Sequence, residues 1–278
     1  MSGVYIVTGG GGGLGRAMAL GLLAQGARIV AGDRSEARLA DLAEEAERLG
    51  VGSSLKGVLL DVCSEEDAQR AVDSALESFG RLDGIVNNAG VGQELVRPDY
   101  ITNPPPFWTV PPQIWRQMLE VNALGPFLMA RAAVPPMLAA GRGRIVNVTT
   151  SLQTMLRRGM APYAGSKAAT EAHSLTMAQD LEGTGVTVNV LVPGGPADTA
   201  MVPEASGLSR ESLLRPDVMV PPLLWLLSPA ADRVTGRRFV AARWDTALAP
   251  DEAAARAGAP AAWPIPAEDI VRWKPNPA

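Results

Sequence analysis

Thr8-Gly9-Gly10-Gly11-Gly12-Gly13-Leu14-Gly15 is the stretch that decides the fold. It lies between an apolar run typical of a strand and a segment with apolar residues at helical spacing. Such a turn presents the backbone N–H groups of a helix N-terminus to a pyrophosphate, and glycine lets the phosphates approach closely. The run fits two registers, Gly10/Gly12/Gly15 and Gly9/Gly13/Gly15. Both registers predict a dinucleotide-binding turn.

Asp33 closes the next apolar run, eighteen residues after Gly15. A carboxylate at this distance accepts hydrogen bonds from the ribose hydroxyls of adenosine and repels a 2′-phosphate, which favours NAD over NADP. Arg34 favours the opposite choice, because an arginine beside this position can pair with phosphate. We therefore expect NAD, with NADP as the alternative, and expect Asp33 and Arg34 to face the cofactor.

Strand-like and helix-like segments alternate along the chain outward from this turn. Apolar runs typical of strands buried on both faces of a parallel sheet are found at Val4–Val7, Arg28–Ala31, Lys56–Leu60, Gly84–Val86, Arg144–Val148, Val186–Val192 and Arg238–Val240. Helical patterns separate them, and Ser35 and Ser64 stand where N-caps are expected. The pattern predicts an α/β fold with a doubly wound, seven-stranded parallel sheet and helices on both faces.

Two regions interrupt this alternation. A proline-rich insertion occupies residues 97–112, and a tail of residues 250–278 begins with an alanine-rich helical pattern and then becomes proline-rich. We expect one domain over residues 1–249, with the insertion inside it and the tail after it. Trp263 and Trp273 in the tail are too large to leave exposed, so we expect the tail to dock on a protein surface, such as a neighbouring subunit.

Composition excludes several classes of protein. The 278 residues are 47% hydrophobic and 19% charged with a net charge of −4, which argues against disorder and against binding to nucleic acid or an anionic membrane. Cys63 and His173 are the sole cysteine and histidine, so we expect neither a disulfide nor a metal site. No apolar stretch reaches the ~20 residues of a membrane span and no leader is visible, so we expect a soluble, cytoplasmic protein.

Tyr163 and Lys167 carry the chemistry that the sequence indicates. Their i, i+4 spacing places a phenol and an ammonium on one face of a predicted helix. A nearby cation favours the phenolate and lowers a phenol pKa that is ordinarily near ~10. A tyrosine with a lowered pKa can serve as a general acid or base near neutral pH.

These features together resemble the short-chain dehydrogenase/reductase family. The resemblance covers roughly residues 4–240 and includes six motifs in the family's order. They are the glycine run, Asp61-Val62, Asn87-Asn88-Ala89-Gly90, Val121-Asn122, Tyr163/Lys167 and Pro193-Gly194. The resemblance implies a Rossmann fold and an oxidoreductase that transfers a hydride reversibly between a secondary alcohol or ketone and NAD(H).

The resemblance also implies roles for individual residues. Gly9, Gly13, Leu14 and Gly15 would hold the pyrophosphate, and Asp61 and Val62 would flank the adenine. Asn88, Ala89 and Gly90 would support the cofactor and the sheet, and Pro193, Gly194 and Thr199 would border the nicotinamide. Lys167 would bind the nicotinamide ribose, and Asn122 would hold a water in a proton relay that ends at Lys167.

Two positions depart from the family's pattern. The serine that holds the substrate oxygen usually stands thirteen positions before the tyrosine, where this chain has Thr150 followed by Ser151. We favour Thr150 and keep Ser151 as the alternative. After the seventh strand the chain reads Ala241-Ala242-Arg243-Trp244-Asp245 where relatives often carry an acid and glycines. That strand commonly contributes to subunit contacts, so the expected homo-oligomer could be a tetramer or a dimer.

Two other functions are compatible with the same motifs. One is a catalytically inactive protein that senses NAD(P), although an intact Tyr163/Lys167/Asn122 set argues against it. The other is an epimerase or dehydratase on the same fold, although such chains usually carry a larger C-terminal substrate domain than this tail provides. A small-molecule alcohol or ketone is the substrate that we expect.

Overall fold

The computed structural model describes residues 2–263 and places the predicted strands side by side in one sheet. The strands are β1 Val4–Thr8, β2 Arg28–Asp33, β3 Leu55–Leu59, β4 Gly84–Asn87, β5 Gly143–Val148, β6 Val186–Val192, β7 Arg237–Val240 and β8 Gly258–Pro260. Their order in the sheet is β3-β2-β1-β4-β5-β6-β7-β8. The first seven are parallel, and β8 pairs antiparallel with β7.

Helices connect the strands and cover the sheet. They are α1 Gly13–Ala24, α2 Glu36–Arg48, α3 Glu65–Phe79, α4 Pro112–Leu119, α5 Gly125–Ala139, α6 Leu152–Met155, α7 Tyr163–Asp180, α8 Val220–Leu226 and α9 Pro250–Ala257. A π-helical turn, Glu120–Leu124, joins α4 directly to α5. The predicted caps are confirmed, because the Ser35 hydroxyl accepts from the Arg38 N–H at 3.3 Å and the Ser64 hydroxyl from the Asp67 N–H at 3.1 Å.

Two large apolar clusters, one on each face of the sheet, form most of the core, and a third, smaller cluster contains Val190, Val192 and Ala261. Along β1, Val4 and Ile6 join the cluster beneath α3 and α5, whereas Tyr5 and Val7 join the cluster beneath α1 and α8. This alternation follows from the two-residue side-chain period of a strand. Both faces of β1 are buried, which explains why its sequence is continuously apolar. The predicted doubly wound α/β fold is confirmed.

The eighth strand is a feature that the sequence prediction of seven strands missed. Its three residues, Gly258–Pro260, lack an apolar run, and a strand this short at a sheet edge needs none. The tail boundary at residue 250 remains a prediction, although α9 and β8 lie against the edge strand β7. Trp263 is partly buried, and Trp273 lies outside the described residues.

The strand order determines where the crevice of the fold lies. The order reverses between β1 and β4, and ligands of such sheets bind outside the carboxyl ends of the strands at this point. The ends of β1, β2, β4, β5 and β6 lead into the segments that carry the predicted site residues. None of the helices within residues 2–263 is long and apolar enough to span a membrane.

Candidate active site

The glycine turn adopts one of the two registers that the sequence allowed. Gly9 and Gly13 have φ values of 63° and 50°, a region that favours glycine. Gly15 stands on the first turn of α1, where a Cβ atom would collide with the carbonyl oxygen of Gly9. Gly9, Gly13 and Gly15 therefore need to be glycine, which supports the second register.

A threonine and an asparagine brace this turn from the neighbouring strand. The Thr8 hydroxyl accepts hydrogen bonds from the backbone N–H groups of Asn88 and Ala89, each at 3.0 Å. The Asn88 side chain donates to the carbonyl oxygens of Thr8 at 3.0 Å and Gly9 at 3.3 Å. These bonds tie the end of β4 to the end of β1. Thr8 is a brace that the sequence reasoning did not single out.

Asp33 lines the cleft at the end of β2 and is 8% exposed. Its carboxylate accepts hydrogen bonds from the N–H groups of Gly11 and Ser35, both at 3.1 Å. Arg38 was missed by the sequence reasoning, and its guanidinium lies about 3.6 Å from where a Gly12 Cβ would stand. Two arginines, Arg34 and Arg38, therefore border the same end of the crevice as Asp33.

One cleft of about 900 Å³ brings most of the predicted site residues together. Its walls include Gly9, Gly13, Leu14, Asp33, Arg34, Asp61, Val62, Asn88, Ala89, Gly90, Thr150, Ser151, Tyr163, Lys167, Pro193, Gly194 and Thr199. Gly15 and Asn122 lie behind this wall in the packed interior. Residues spread over nearly 200 positions of the chain thus meet at the carboxyl ends of the strands.

Tyr163 and Lys167 occupy the first turns of α7 at the floor of the cleft. Burial raises the pKa of the Tyr163 phenol well above its usual value, and a hydrogen bond with the Thr150 hydroxyl lowers it by a smaller amount. Burial also lowers the pKa of Lys167 to about 8. The prediction that Lys167 brings down the Tyr163 pKa is therefore wrong for this structure. Desolvation of the phenol is the largest cause of the raised pKa, and the charge of Lys167 is not among the causes.

Lys167 points past the tyrosine toward β5. Its Nζ donates to the carbonyl oxygen of Val148 at 2.9 Å, and the residue is 5% exposed. Gly90 lies next to this ammonium, because a Cβ there would stand 3.4 Å from Nζ and 3.1 Å from Oδ1 of Asn122. The absence of a side chain at residue 90 leaves space for both groups.

The two adjacent hydroxyls after β5 have different partners. The Thr150 hydroxyl interacts with the Tyr163 phenol and lowers its pKa, whereas the Ser151 hydroxyl caps α6 by accepting from the Thr154 N–H at 3.0 Å. Ser151 also pairs with the Thr154 hydroxyl at 2.8 Å. This arrangement favours Thr150 as the group that holds a substrate oxygen.

Asn122 lies in the π-helical turn and is completely buried. Its amide donates to the Val91 carbonyl at 2.8 Å and to the Ser166 hydroxyl at 2.9 Å, and its Oδ1 accepts from the Val91 N–H at 2.9 Å. The side chain thus joins the segment after β4 to the catalytic helix. Its role in a water relay remains a prediction.

The far wall of the cleft contains polar residues that the sequence reasoning missed. Gln93 is 1% exposed and donates to the carbonyl oxygens of Gly159 at 2.7 Å and Ala161 at 2.9 Å. Burial raises the pKa of Glu94, and the charges of Glu94 and Tyr100 contribute to the raised pKa of Tyr163. Only the position of Gln93-Glu94 shortly after the Asn-Asn-Ala-Gly motif, with Val91 and Gly92 between, could have indicated them.

The segment after β6 forms another wall of the cleft. Gly194 has a φ of 97°, and a Cβ atom there would press on Val240 and Ala242. Thr199 packs against Gly13, within 3.0 Å of where a Cβ of that glycine would stand. The 193–199 segment therefore reaches across to the glycine turn.

Known proteins match this fold and site. The sequence profile of the short chain dehydrogenases matches residues 3–207. A 3-oxoacyl-[acyl-carrier-protein] reductase of Thermotoga maritima is 29% identical over 245 residues, which cover 84% of this chain and 94% of the relative. A 3-ketoacyl-(acyl-carrier-protein) reductase of Brucella melitensis in complex with NADH superimposes with a TM-score of 0.71 at 28% identity, covering 84% of this chain and 93% of the other.

A second solved structure contains the other nicotinamide cofactor. It is a short chain dehydrogenase of Shigella flexneri in complex with NADP, with a TM-score of 0.76 and 27% identity, covering 86% of this chain and 97% of the other. The chain belongs to the short-chain dehydrogenase/reductase family. It is accordingly an oxidoreductase with a Rossmann fold, in a family that uses nicotinamide cofactors.

Proposed function

We propose that this protein transfers a hydride reversibly between a secondary alcohol or ketone and NAD(H), with Tyr163 as the general acid and base. The observation that carries the proposal is that Tyr163, Lys167 and Thr150 line one cleft, with the Thr150 hydroxyl close enough to Tyr163 to lower the pKa of the phenol. A substrate oxygen placed between the two hydroxyls would contact a proton donor and a hydrogen-bond donor at once.

The cleft fits a dinucleotide. Gly9 and Gly13 form the turn at the N-terminus of α1, where a pyrophosphate would bind; a side chain at either position would be strained by the positive φ and crowded by Asn88 and Ala89 or by Thr199. Asp33 presents a carboxylate where ribose hydroxyls would bind, which supports NAD as the preferred cofactor. Lys167 and the 193–199 segment would hold the nicotinamide half. The cofactor supplies the hydride in reduction and accepts it in oxidation.

Tyr163 suits ketone reduction directly. Its raised pKa keeps the phenol neutral at pH 7, so it can donate a proton to the carbonyl oxygen as the hydride reaches the carbon. Thr150 steadies the developing negative charge on that oxygen with a second hydrogen bond. In oxidation the same phenol must accept the hydroxyl proton, and this direction needs positive charge nearby to favour the phenolate. Lys167, one helical turn away, is the cation proposed for this task, although its charge does not lower the Tyr163 pKa in this structure.

An alcohol panel tests the proposal. NADH formation is followed with 2-butanol, cyclohexanol and cis-1,2-cyclohexanediol, and NADH consumption with the matching ketones, for the wild type, Tyr163→Phe and Tyr100→Phe. Tyr100 lies in the same cleft and is the matched control. We expect Tyr163→Phe to lose about 10²–10⁴-fold in kcat while Tyr100→Phe changes mainly KM.

The outcomes separate the alternatives. Turnover retained in Tyr163→Phe would contradict the assignment of the acid and base. Tight NAD binding without turnover of any compound in the panel would favour a sensor. Isomerisation or water loss without net change in NADH would favour an epimerase or dehydratase.

A further inference from the structure

A buried ion pair lies beneath the candidate active site and has no part in the proposed hydride transfer. Glu171 on α7 is completely buried, Arg238 on β7 is 7% exposed, and the Arg238 Nε donates to the Glu171 Oε1 at 2.9 Å. Neither residue lines the cleft. A buried ion pair is weak evidence for stability, because desolvation offsets the attraction, so a pair in this position calls for another explanation.

The ion pair forms hydrogen bonds with the segment that follows β5 and carries Thr150. The second carboxylate oxygen of Glu171 accepts from the Thr149 hydroxyl at 2.7 Å, and the Arg238 Nη2 donates to the Thr150 carbonyl at 3.1 Å. Lys167 donates to the preceding carbonyl, that of Val148, at 2.9 Å. Three successive residues are thus each held by a charged side chain. These three hydrogen bonds therefore fix the backbone that carries the Thr150 hydroxyl.

Glu171 lies on the same face of α7 as the catalytic pair. Tyr163, Lys167 and Glu171 follow one another at intervals of four residues, so they stack along one side of the helix. The helix therefore aligns the phenol with the carboxylate that holds Thr149. This face of α7 therefore determines how the hydroxyls of Tyr163 and Thr150 are placed relative to each other.

The C-terminal segment completes the same cluster. The Ala262 N–H donates to the Glu171 Oε1 at 3.1 Å, with the pairing of β7 and β8 leading the chain to this point. Ala262 has a φ of 61°, and it is the only non-glycine residue with a positive φ within residues 2–263. Such a conformation persists only where the surroundings impose it. Here it aims an N–H group at a buried carboxylate.

We propose that Glu171 and Arg238 are positioning residues for the reaction and that residues 258–262 close this support. They hold the backbone of residues 149–150 so that the Thr150 hydroxyl meets the substrate oxygen beside Tyr163. The C-terminal segment is then required for turnover although residues 258–262 contribute no wall to the cleft. The proposal rests on the proposed alcohol or ketone reaction.

Paired substitutions test the role of the ion pair. Glu171→Met with Arg238→Met removes both charges together, and such replacements often leave stability unchanged. We expect the thermal midpoint and the dissociation constant for NAD to stay near the wild type while kcat falls at least tenfold. Ser174→Ala, which alters another buried polar residue of α7, is the control and should keep its kcat. A double variant with wild-type kcat would overturn the proposal.

A variant pair at one position tests the C-terminal segment. Ala262→Gly keeps the N–H and relaxes the backbone, whereas Ala262→Pro removes the N–H and cannot adopt a positive φ. We expect Ala262→Pro to lose at least fivefold in kcat with an unchanged KM for NAD, and Ala262→Gly to match the wild type. Equal kcat in both variants would overturn the part assigned to the segment.

A crystal structure of the Glu171→Gln variant gives a readout without turnover. The glutamine keeps the shape but presents an NH₂ group either to Arg238 and Ala262 or to Thr149. We expect the Thr150 hydroxyl to move away from the Tyr163 hydroxyl relative to the wild type, and an unchanged geometry would overturn the proposal. If instead the wild type oxidises no alcohol and reduces no ketone, the proposed function fails, and this geometric test still decides the positioning role.

Discussion

Thr150 and Ser151 illustrate how two adjacent hydroxyls take different tasks. Sequence counting left both open, because threonine and serine present the same group. The structure favours Thr150 for the chemistry, since Ser151 caps α6 with its hydroxyl. A choice of this kind depends on backbone direction at a strand end, which a sequence pattern does not contain.

Substitution of each hydroxyl should therefore have a different consequence. We expect Thr150→Val, which keeps the shape and loses the hydroxyl, to reduce kcat by about 10²-fold, as loss of a group that stabilises an oxyanion does. Ser151→Ala should keep kcat within a few fold and cost about 1 kcal/mol of stability through the lost cap. Steady-state kinetics and urea unfolding of the two variants check this. The reverse pattern would assign the catalytic hydroxyl to Ser151.

The lowered pKa of Lys167 leads to a prediction about how the free energy of unfolding depends on pH. In the folded protein its pKa is about 8, below the usual 10.5, because burial disfavours the charged form. Burial of the charge therefore destabilises the folded state by its full amount below pH 8, and this destabilisation decreases as the pH rises toward 10.5. Lys167→Met should be more stable than the wild type by about 1–2 kcal/mol at pH 7. The difference should shrink above pH 8. Urea unfolding of both proteins from pH 7 to 9.5 measures it, and a difference that is constant with pH would contradict the lowered pKa.

The charges of Asp33 and its two neighbouring arginines lead to a prediction about the preference for NAD over NADP. Asp33→Ser removes the carboxylate that would repel a 2′-phosphate, and Arg34 and Arg38 remain to pair with one. We expect the ratio of kcat/KM for NAD to that for NADP to fall by about 10²-fold, equivalent to about 2.7 kcal/mol. The wild type should prefer NAD. An unchanged ratio would show that the arginines do not reach the phosphate site.

At the scale of elements, the π-helical turn between α4 and α5 has a consequence for the surface. Trp115, Leu119, Leu124 and Phe127 are all exposed by more than a third, and they follow one another at steps of four, five and three residues. The five-residue step falls within the π turn, whose hydrogen bonds span five residues, so the four side chains share one face. Exposed apolar stripes of this kind mark protein–protein interfaces.

We therefore predict that this stripe is covered in a homo-oligomer. Phe127→Glu places a charge at the C-terminal end of the stripe and should reduce the mass in solution by at least half, with the fold intact by circular dichroism. Leu156→Glu is the matched control, since that side chain is 78% exposed and lies on a separate element. Size-exclusion chromatography with light scattering measures the mass against the 29.1 kDa of one chain. A monomeric wild type would remove the expectation of an oligomer.

For the whole molecule, the sequence predicted two kinds of feature, which are the elements that repeat along the chain and the turn that requires glycine. Alternating apolar runs and the glycine turn predicted the sheet, its parallel direction and the crevice at the end of β1. The pattern missed β8, because Gly258–Pro260 has no apolar period and is fixed by pairing with β7. It also missed Arg38, because a residue that faces the crevice from the first turn of α2 looks like an ordinary surface charge in sequence.

Electrostatics was the least predictable property. The spacing of Tyr163 and Lys167 correctly placed both side chains at one cleft, yet their pKa directions depend on how deeply the whole fold buries them. The Glu171–Arg238 pair was likewise beyond the sequence, since its partners come from α7, β5, β7 and the segment after β8. Contacts between such distant segments follow from tertiary structure alone.

Transfer of a label tests the central claim most directly. The best alcohol of the panel, carrying deuterium at its carbinol carbon, is oxidised by the wild type and by Tyr163→Phe, and the reduced cofactor is examined by NMR. We predict one deuterium at C4 of the nicotinamide for each ketone formed by the wild type, and loss of both products in the variant. Deuterium released to water, or equal transfer by Tyr163→Phe, would contradict direct hydride transfer assisted by this tyrosine.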